Sequence, residues 1–206
     1  MAQYFQIHPE NPQLRLIRRA VGIVRNGGVI IYPTDSSYAF GCQMAEKQAL
    51  DRIRRIRRLD DRHNFTLVGR DLAQISNFAN INNDAYRLVR SVTPGPFTFI
   101  FKATREVPRR LQHPKRKSVG VRIPDHPVVQ CLLEELGEPM FSSTLILPDD
   151  QEAFTDPLDI RERMEHEVDL IIDSGIVLHT PTTMVDLTGK NPEVIREGKG
   201  DLSAIL

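Results

Sequence analysis

A run of polar side chains follows a strongly apolar segment in the first quarter of the chain. Residues 29–32 (VIIY) are β-branched or aromatic, which is typical of a strand buried on both faces. Pro33 lacks a backbone N–H, so we expect the strand to end there. Residues 34–38 (TDSSY) then place short polar groups at the strand end, where open α/β sheets bind ligands. The segment predicts a binding site, and the alternative is an ordinary strand-to-turn connection.

Three further segments carry groups suited to an anionic ligand: residues 93–98 (TPGPFT), 119–127 (VGVRIPDHP) and 181–198. Arg122 stands just before Pro124 and places a guanidinium fork, which binds carboxylate or phosphate, at a predicted strand end. The alternative for Arg122 is an ion pair with a local aspartate. The sequence contains no CxxC, HExxH, P-loop or Rossmann glycine fingerprint. Phosphate binding would therefore depend on side-chain cations and hydroxyls, and we predict no metal site.

The formal net charge is zero, but the charged residues are unevenly distributed. Residues 1–133 carry 22 Lys and Arg against 10 Asp and Glu, a difference of +12, and residues 134–206 carry 5 against 17, a difference of −12. Basic clusters at residues 52–62 and 102–122 are the pattern expected of a protein that binds a polyanion. The alternative is a solvated basic surface. The candidate RNA contacts are Arg54, Arg55, Arg58, Arg109, Arg110, Lys115, Arg116 and Lys117.

Length and composition favour a single globular domain over residues 1–206. The chain has 206 residues and is 40% hydrophobic, enough for a sizeable core. No apolar run approaches the roughly 20 residues of a membrane helix, and the start of the chain lacks the pattern of a secretory signal. Cys42 and Cys131 match no metal or redox spacing. We expect a cytoplasmic protein that is not attached to a membrane.

Helical and strand patterns alternate along the chain. Apolar spacing predicts helices at about residues 14–24, 49–56, 84–92, 126–136 and 157–167, and we expect Asn11 and Asp71 to cap helices. Strands are predicted at about residues 29–32, 64–69, 97–104, 118–123, 139–147, 168–173, 184–187 and 194–196. Because the later strands follow one another without helices between them, we predict an α/β fold with a mixed sheet.

In combination these segments resemble the YrdC/YciO family, whose best-known members are threonylcarbamoyl-AMP synthases. The motifs PTDTxYGLG, PGPxT, VRxPxHP, STVVD and RxG stand here, in order, at residues 33–41, 94–98, 121–127, 182–186 and 196–198. This ordered set covers nearly the whole chain. Residues 7–13 (IHPENPQ) and 63–67 (HNFTL) are most similar to the YciO branch.

The resemblance implies a YrdC-like twisted open sheet of parallel and antiparallel strands, with flanking helices around a concave basic cleft. In the synthases that cleft binds ATP with Mg²⁺, L-threonine and bicarbonate, and forms threonylcarbamoyl-adenylate for tRNA modification. The family domain is also described as binding double-stranded RNA. Carried over by position, the amino-acid contacts would be Ser36, Arg122 and Thr182. The nucleotide and phosphate contacts would be Arg57, His63, Thr98, Thr144 and Arg196.

This chain departs from the synthases at two polar positions. The synthase KxR pair stands here as Arg57 and Leu59, and a Ser-Ala-Asn triplet stands as residues 144–146, ending at Ile146. Neither aliphatic side chain forms hydrogen bonds, and charge-assisted bonds are worth about 1.5–3 kcal/mol each. Losing two of them predicts a reaction slower by about two to four powers of ten.

Three hypotheses about function follow. The first is a YrdC-like protein that binds double-stranded or structured RNA, including tRNA, and keeps a degenerate synthase site. The second is an ATP-dependent L-threonylcarbamoyladenylate synthase of low or altered activity, a nucleotidyltransferase that uses ATP, L-threonine and Mg²⁺. The third is a cleft that serves another small anionic metabolite.

Overall fold

The computed structural model describes residues 1–59, 66–113 and 115–205. Its strands are β1 (Gln3–Gln6), β2 (Ile30–Pro33), β3 (Tyr38–Gln43), β4 (Thr66–Val68), β5 (Phe97–Lys102), β6 (Ser118–Arg122), β7 (Met140–Thr144), β8 (Leu170–Asp173), β9 (Thr183–Asp186) and β10 (Glu193–Arg196). Its α-helices are α1 (Leu14–Arg25), α2 (Lys47–Arg57), α3 (Leu72–Ser76), α4 (Asn83–Val92), α5 (Pro127–Leu136) and α6 (Pro157–Met164). Short 3₁₀ helices span Arg109–Leu111 and Leu202–Ala204.

All of these strands belong to one mixed sheet, in the order β1-β8-β2-β3-β7-β4-β6-β5-β9-β10. The pairs β1–β8, β2–β8, β4–β6 and β5–β9 are parallel, and the other neighbouring pairs are antiparallel. The α/β class and the mixed sheet predicted from the sequence are confirmed. The sheet brings together strand ends that are more than 100 residues apart in sequence, such as β3 and β7.

Helices cover both faces of the sheet, and alternate residues of a strand supply the two cores. Ile30 and Tyr32 of β2 pack with α1 and α5 on one face, whereas Ile31 packs with α2, α3, α4 and α6 on the other. Tyr32 is fully buried, and burial raises its pKa to about 12. Its hydroxyl donates to Ser142 Oγ at 2.7 Å. This bond fixes a hydroxyl of β7 beside the site described below.

Three local predictions were wrong or incomplete. Helix α1 begins after Gln13 without a side-chain cap, so Asn11 does not cap it. Strand β1 was missed because its four residues are largely exposed and show little apolar pattern. Strand β3 was interpreted as part of a turn, but it pairs with both β2 and β7 along its length. The predicted cap at Asp71 is confirmed, since its carboxylate accepts from the Gln74 N–H at 2.9 Å.

Candidate active site

A cavity of about 290 Å³ opens on the sheet face that α1 and α5 partly cover. Its floor comes from alternate residues of neighbouring strands, because every second side chain of a strand points to the same face. Ala39 lies opposite Thr144, Thr66 opposite Ser142, and Val68 opposite Arg122. Apart from Arg122, these side chains are small or hydroxylated, which leaves room for a ligand. The cavity also contains Ser36, Arg57, Thr98, His179, Thr182 and Arg196.

Arg122 is the most deeply placed cation of the cavity, with only 8% of the residue exposed. Its Nη2 forms a close ion pair with the Asp35 carboxylate and donates to Thr34 Oγ1 at 3.3 Å. The ion pair with a local aspartate, which the sequence analysis gave as the alternative for Arg122, is therefore present. The Arg122 Nε is buried and has no hydrogen-bond partner among the described residues. The Arg122 residue lines the cavity, so its positive charge can attract an anionic ligand there.

The loop between β2 and β3 is held by its own hydroxyls and by a lysine. Thr34 Oγ1 accepts from the N–H groups of Ser36 and Ser37, each at 3.2 Å, and donates to the Ser37 carbonyl at 2.6 Å. Lys199 donates to the Asp35 carbonyl in a close contact. The predicted polar turn is thus a compact, buried loop that presents Ser36 to the cavity.

The opposite wall joins the ends of β5, β9 and β10. Thr98 and Thr182 share a hydrogen bond of 2.8 Å between their hydroxyls. Arg196 donates to the Thr182 carbonyl from Nε at 3.1 Å and from Nη2 at 2.9 Å. Burial and the nearby charge of Arg122 lower the pKa of Arg196 below its ordinary value. Both guanidinium groups line the same cavity, so an anionic ligand there would be attracted by both.

Arg57 enters the cavity from the end of α2 and is anchored at the end of β7. Its Nε donates to the Ile146 carbonyl at 3.0 Å, and Nη1 makes a close hydrogen bond to Ser143 Oγ. Burial lowers the pKa of Arg57 below its ordinary value. The Ile146 side chain lines the cavity, as expected for a position where an aliphatic residue replaces the polar residue of the synthases. Leu59 differs from expectation, because it packs against the core and does not line this cavity.

The cavity therefore unites seven of the eight predicted small-ligand residues, namely Ser36, Arg57, Thr98, Arg122, Thr144, Thr182 and Arg196. His63, the eighth, lies outside the described residues. Sequence reasoning did not select Ser142, Ser143 or His179, which also line the cavity. The hydroxyl run at residues 142–144 was a usable signal for the two serines. No comparable signal marked His179, which lies in the connection between β8 and β9.

The predicted RNA contacts lie in two regions, which differ in how many of their cations form ion pairs with acidic residues. Near the end of α2, Arg55 lies 3.8 Å from Glu167, and Arg58 lies 3.6 Å from Asp149. Arg54 in the same helix is half-buried. In the second region, residues 105–117, most of the cations are exposed, and the structure describes only the backbone of Arg110. Within the described part of the chain, Arg109, Lys115 and Lys117 have no ion-pair partner, whereas Arg116 lies 3.8 Å from Asp186.

Among the described residues, no carboxylate lines the cavity to bind a metal ion. Mg²⁺ prefers carboxylate, carbonyl and phosphate oxygens, and no Asp or Glu lines the cavity. Across the described residues, no group of three or more His, Cys, Asp or Glu side chains is placed to hold a metal. Asp186 at the end of β9 accepts a turn hydrogen bond from the Thr188 N–H at 2.8 Å. Mg²⁺ would therefore depend on the phosphates of a bound nucleotide for its coordination.

Comparison with known proteins places the chain in a family. The Sua5/YciO/YrdC family model, described as "Telomere recombination", matches residues 22–198. The chain belongs to this family. It is 54% identical to the YciO protein of Escherichia coli K12 over 206 residues, all of both chains, and the crystal structure of E. coli YciO matches with a TM-score of 0.94 over 100% of both chains. The resemblance to the YciO branch is confirmed.

More distant members of the family carry names that describe an activity. The threonylcarbamoyl-AMP synthase of Nitrosococcus oceani is 29% identical over 186 residues, which cover 89% of this chain and 93% of that protein. The structure of P. abyssi Sua5 complexed with L-threonine has a TM-score of 0.87 at 24% identity and covers 95% of this chain and 57% of that one. The Sua5 structure shares the fold of this chain. No helix in the described residues is long and apolar enough to cross a membrane.

Proposed function

We propose that the cavity binds an α-amino acid of the L-threonine type and that the protein is a nucleotidyltransferase of low activity. It would form threonylcarbamoyl-adenylate from that amino acid, bicarbonate and ATP. The observation that carries the proposal is the buried Arg122 guanidinium, which lines a cavity rich in hydroxyls and whose Nε has no partner in the described residues. A buried cation with a free donor is matched to a carboxylate.

The amino-acid end of the cavity has the polar groups that such a ligand needs. Arg122 would bind the carboxylate, while Ser36 and the hydrogen-bonded pair of Thr98 and Thr182 would meet the side-chain hydroxyl. A family member of the same fold has been solved with L-threonine bound. The volume of about 290 Å³ also suits a small ligand together with part of a nucleotide.

The nucleotide end of the cavity is cationic but altered. The amine of the amino acid would attack bicarbonate, and the resulting carbamate would attack the α-phosphate of ATP and expel pyrophosphate. Arg57 and Arg196 would stabilise the negative charge that develops on the phosphates. Ile146 provides an aliphatic surface where a hydrogen bond is expected in the synthases, so a slow reaction follows. This altered end is the degenerate part of the site.

Calorimetric titration of the full chain with L-threonine tests the proposal. We expect binding by the wild type, and a loss of affinity of at least about thirtyfold in Arg122→Ala, because a charge-assisted hydrogen bond is worth roughly 2 kcal/mol. Arg87→Ala, which removes an exposed arginine of α4, should bind as the wild type does. Should Arg122→Ala fail to fold, the methyl ester of L-threonine replaces it, since an ester lacks the carboxylate. Equal binding of the ester and the acid would contradict the proposal.

RNA binding is a second proposed function, and a separate observation favours it. The exposed cations at residues 105–117 lie around another cavity, of about 640 Å³, lined by Arg105, Arg109 and Lys117. Arg105, like Arg109 and Lys117, has no ion-pair partner in the described residues, so this surface keeps its positive charge. The α2 arginines are partly neutralised by Glu167 and Asp149. We therefore place the RNA contact at residues 105–117 in the first instance.

A further inference from the structure

Asp35 lies in the β2–β3 loop but, unlike its neighbour Ser36, does not line the cavity. Its carboxylate is nearly buried, with 9% of the side chain exposed. Oδ1 forms the close ion pair with Arg122 Nη2, and Oδ2 accepts from the Asp125 N–H at 3.1 Å. Because the carboxylate lies off the cavity and both of its oxygens accept hydrogen bonds from the protein, it acts on the protein and not on a ligand.

Segments from two other parts of the chain hold Asp35. Asp125 lies in the connection between β6 and α5, and its N–H holds the Asp35 side chain. Lys199, which follows β10, donates to the Asp35 backbone carbonyl in a close contact. The side chain and the backbone of Asp35 are therefore each tied to the fold by a bond that involves no ligand.

Arg122 has a long side chain, and its guanidinium needs an anchor to keep its charge in one place. Nη2 donates to Asp35 and to Thr34 Oγ1, and the second contact, at 3.3 Å, is slightly longer than an ordinary hydrogen bond. Asp35 is thus the stronger of these two anchors. A side chain that is already held in its binding geometry loses little conformational freedom when a ligand binds, so affinity is higher than for a mobile side chain.

We propose that Asp35 is a positioning residue for the amino-acid site, which holds the Arg122 guanidinium by Nη2 so that the group meets the ligand carboxylate in a fixed orientation. This inference rests on the proposed amino-acid site. A different role for Asp35 would be to neutralise Arg122, and the two roles predict opposite effects. Loss of a neutralising charge would strengthen the binding of an anion, whereas loss of an anchor weakens it.

The first test compares two substitutions of Asp35. Asp35→Ala removes the anchor, while Asp35→Asn keeps an oxygen that accepts from Nη2 without the charge. We expect calorimetric binding of L-threonine to weaken about tenfold in Asp35→Ala and to stay within about threefold of the wild type in Asp35→Asn. Asp169→Ala is the matched control and should bind as the wild type does, since Asp169 forms a close ion pair with Arg52 and neither residue lines the cavity. Tighter binding in either Asp35 variant, or an equal loss in both, would overturn the positioning role.

A double-mutant cycle shows whether Asp35 acts through Arg122. In an Arg122→Ala background, Asp35→Ala should cause no further loss of L-threonine affinity, because no guanidinium is left to hold. A general effect on the loop would lower the affinity by the same factor in both backgrounds and would contradict the proposal.

Two further outcomes are also decisive. Should Asp35→Ala fail to fold, Asp35→Asn alone decides, and a loss of more than about threefold or any gain in affinity would overturn the role. If the wild type does not bind L-threonine, the proposed function fails and this inference fails with it. If the wild type and both Asp35 variants bind equally, only the positioning role fails.

Discussion

Ile146 lines the cavity at the altered nucleotide end of the proposed site. Its carbonyl holds Arg57 at 3.0 Å, while its side chain presents only carbon to the cavity. The effect of the substitution therefore lies in a missing polar group, since the neighbouring cation is still in place. A single change at this position can restore a hydrogen-bonding group without disturbing the backbone contact.

Ile146→Asn should raise L-threonine-dependent pyrophosphate release about tenfold, because one hydrogen bond to a charged group contributes roughly 1.5 kcal/mol. Ile176→Asn is the matched control, since Ile176 is 69% exposed and does not line the cavity. Leu59→Arg should not raise the rate, because Leu59 packs against the core. Equal rates in the Ile146 and Ile176 variants would show that the aliphatic side chain is not what limits the reaction.

At the residue scale, the sequence predicted most of the polar lining of the cavity but not its complete geometry. Arg122 and Ser36 were predicted because their motifs stand at strand ends, where side chains converge. His179 was missed because it lies in an irregular connection. Neither an apolar pattern nor a motif in the neighbouring sequence points to it. Its position at the cavity follows only from the folded structure, in which that connection packs against the β2–β3 loop.

The secondary-structure elements follow from local signals where those signals are strong. Helix α5 begins at a histidine cap followed by Pro127 and ends at Gly137, which has φ of +78°, a conformation that favours glycine. Burial lowers the pKa of His126, and its Nδ1 accepts from the Val128 N–H at 3.3 Å, in keeping with a structural role. The edge strand β1 pairs with β8, which comes from the far end of the chain. The sequence pattern near β1 gives no sign of this pairing.

The cap of α3 gives a test at this scale. Asp71→Ala should lower the free energy of unfolding by about 1 kcal/mol at pH 7, as is typical for a lost N-cap. The Gln74 N–H, together with Arg70, holds the pKa of Asp71 below its ordinary value. A depressed folded-state pKa means that the contribution is present above the unfolded value of about 4 and is lost as the pH falls through the folded value.

Urea unfolding at several pH values measures this contribution. The difference between wild type and Asp71→Ala should be full at pH 7 and should shrink below about pH 4. Asp51→Ala is the control, because Asp51 is an exposed residue within α2 and does not cap a helix. A difference that stays constant down to pH 2 would mean that the carboxylate charge does not stabilise the cap.

At the scale of the whole molecule, folding partly cancels the charge division seen in the sequence. Acidic residues of the second part of the chain pair with basic residues of the first, as in Arg52 with Asp169 and Arg55 with Glu167. The linear difference of +12 and −12 therefore overstates the charge asymmetry of the surface. The exposed cations of residues 105–117 without an ion-pair partner in the described chain remain able to attract a polyanion.

Double-stranded RNA binding should reflect this distribution. Lys115→Glu with Lys117→Glu should weaken binding at least tenfold and reduce the slope of log affinity against log salt by about two, one for each lost phosphate contact. Arg55→Glu with Arg58→Glu should have a smaller effect, because both arginines already face acids. Fluorescence anisotropy across a salt series measures both. A larger loss in the α2 variant would place the RNA on α2 instead.

The central claim is that Arg122 holds the carboxylate of an amino acid in the cavity, and a crystal structure of the protein grown with L-threonine tests it most directly. We predict the ligand carboxylate within hydrogen-bonding distance of the Arg122 guanidinium, with the ion pair to Asp35 retained. L-Threonine absent from the cavity at saturating concentration, or bound with its carboxylate away from Arg122, would contradict the account.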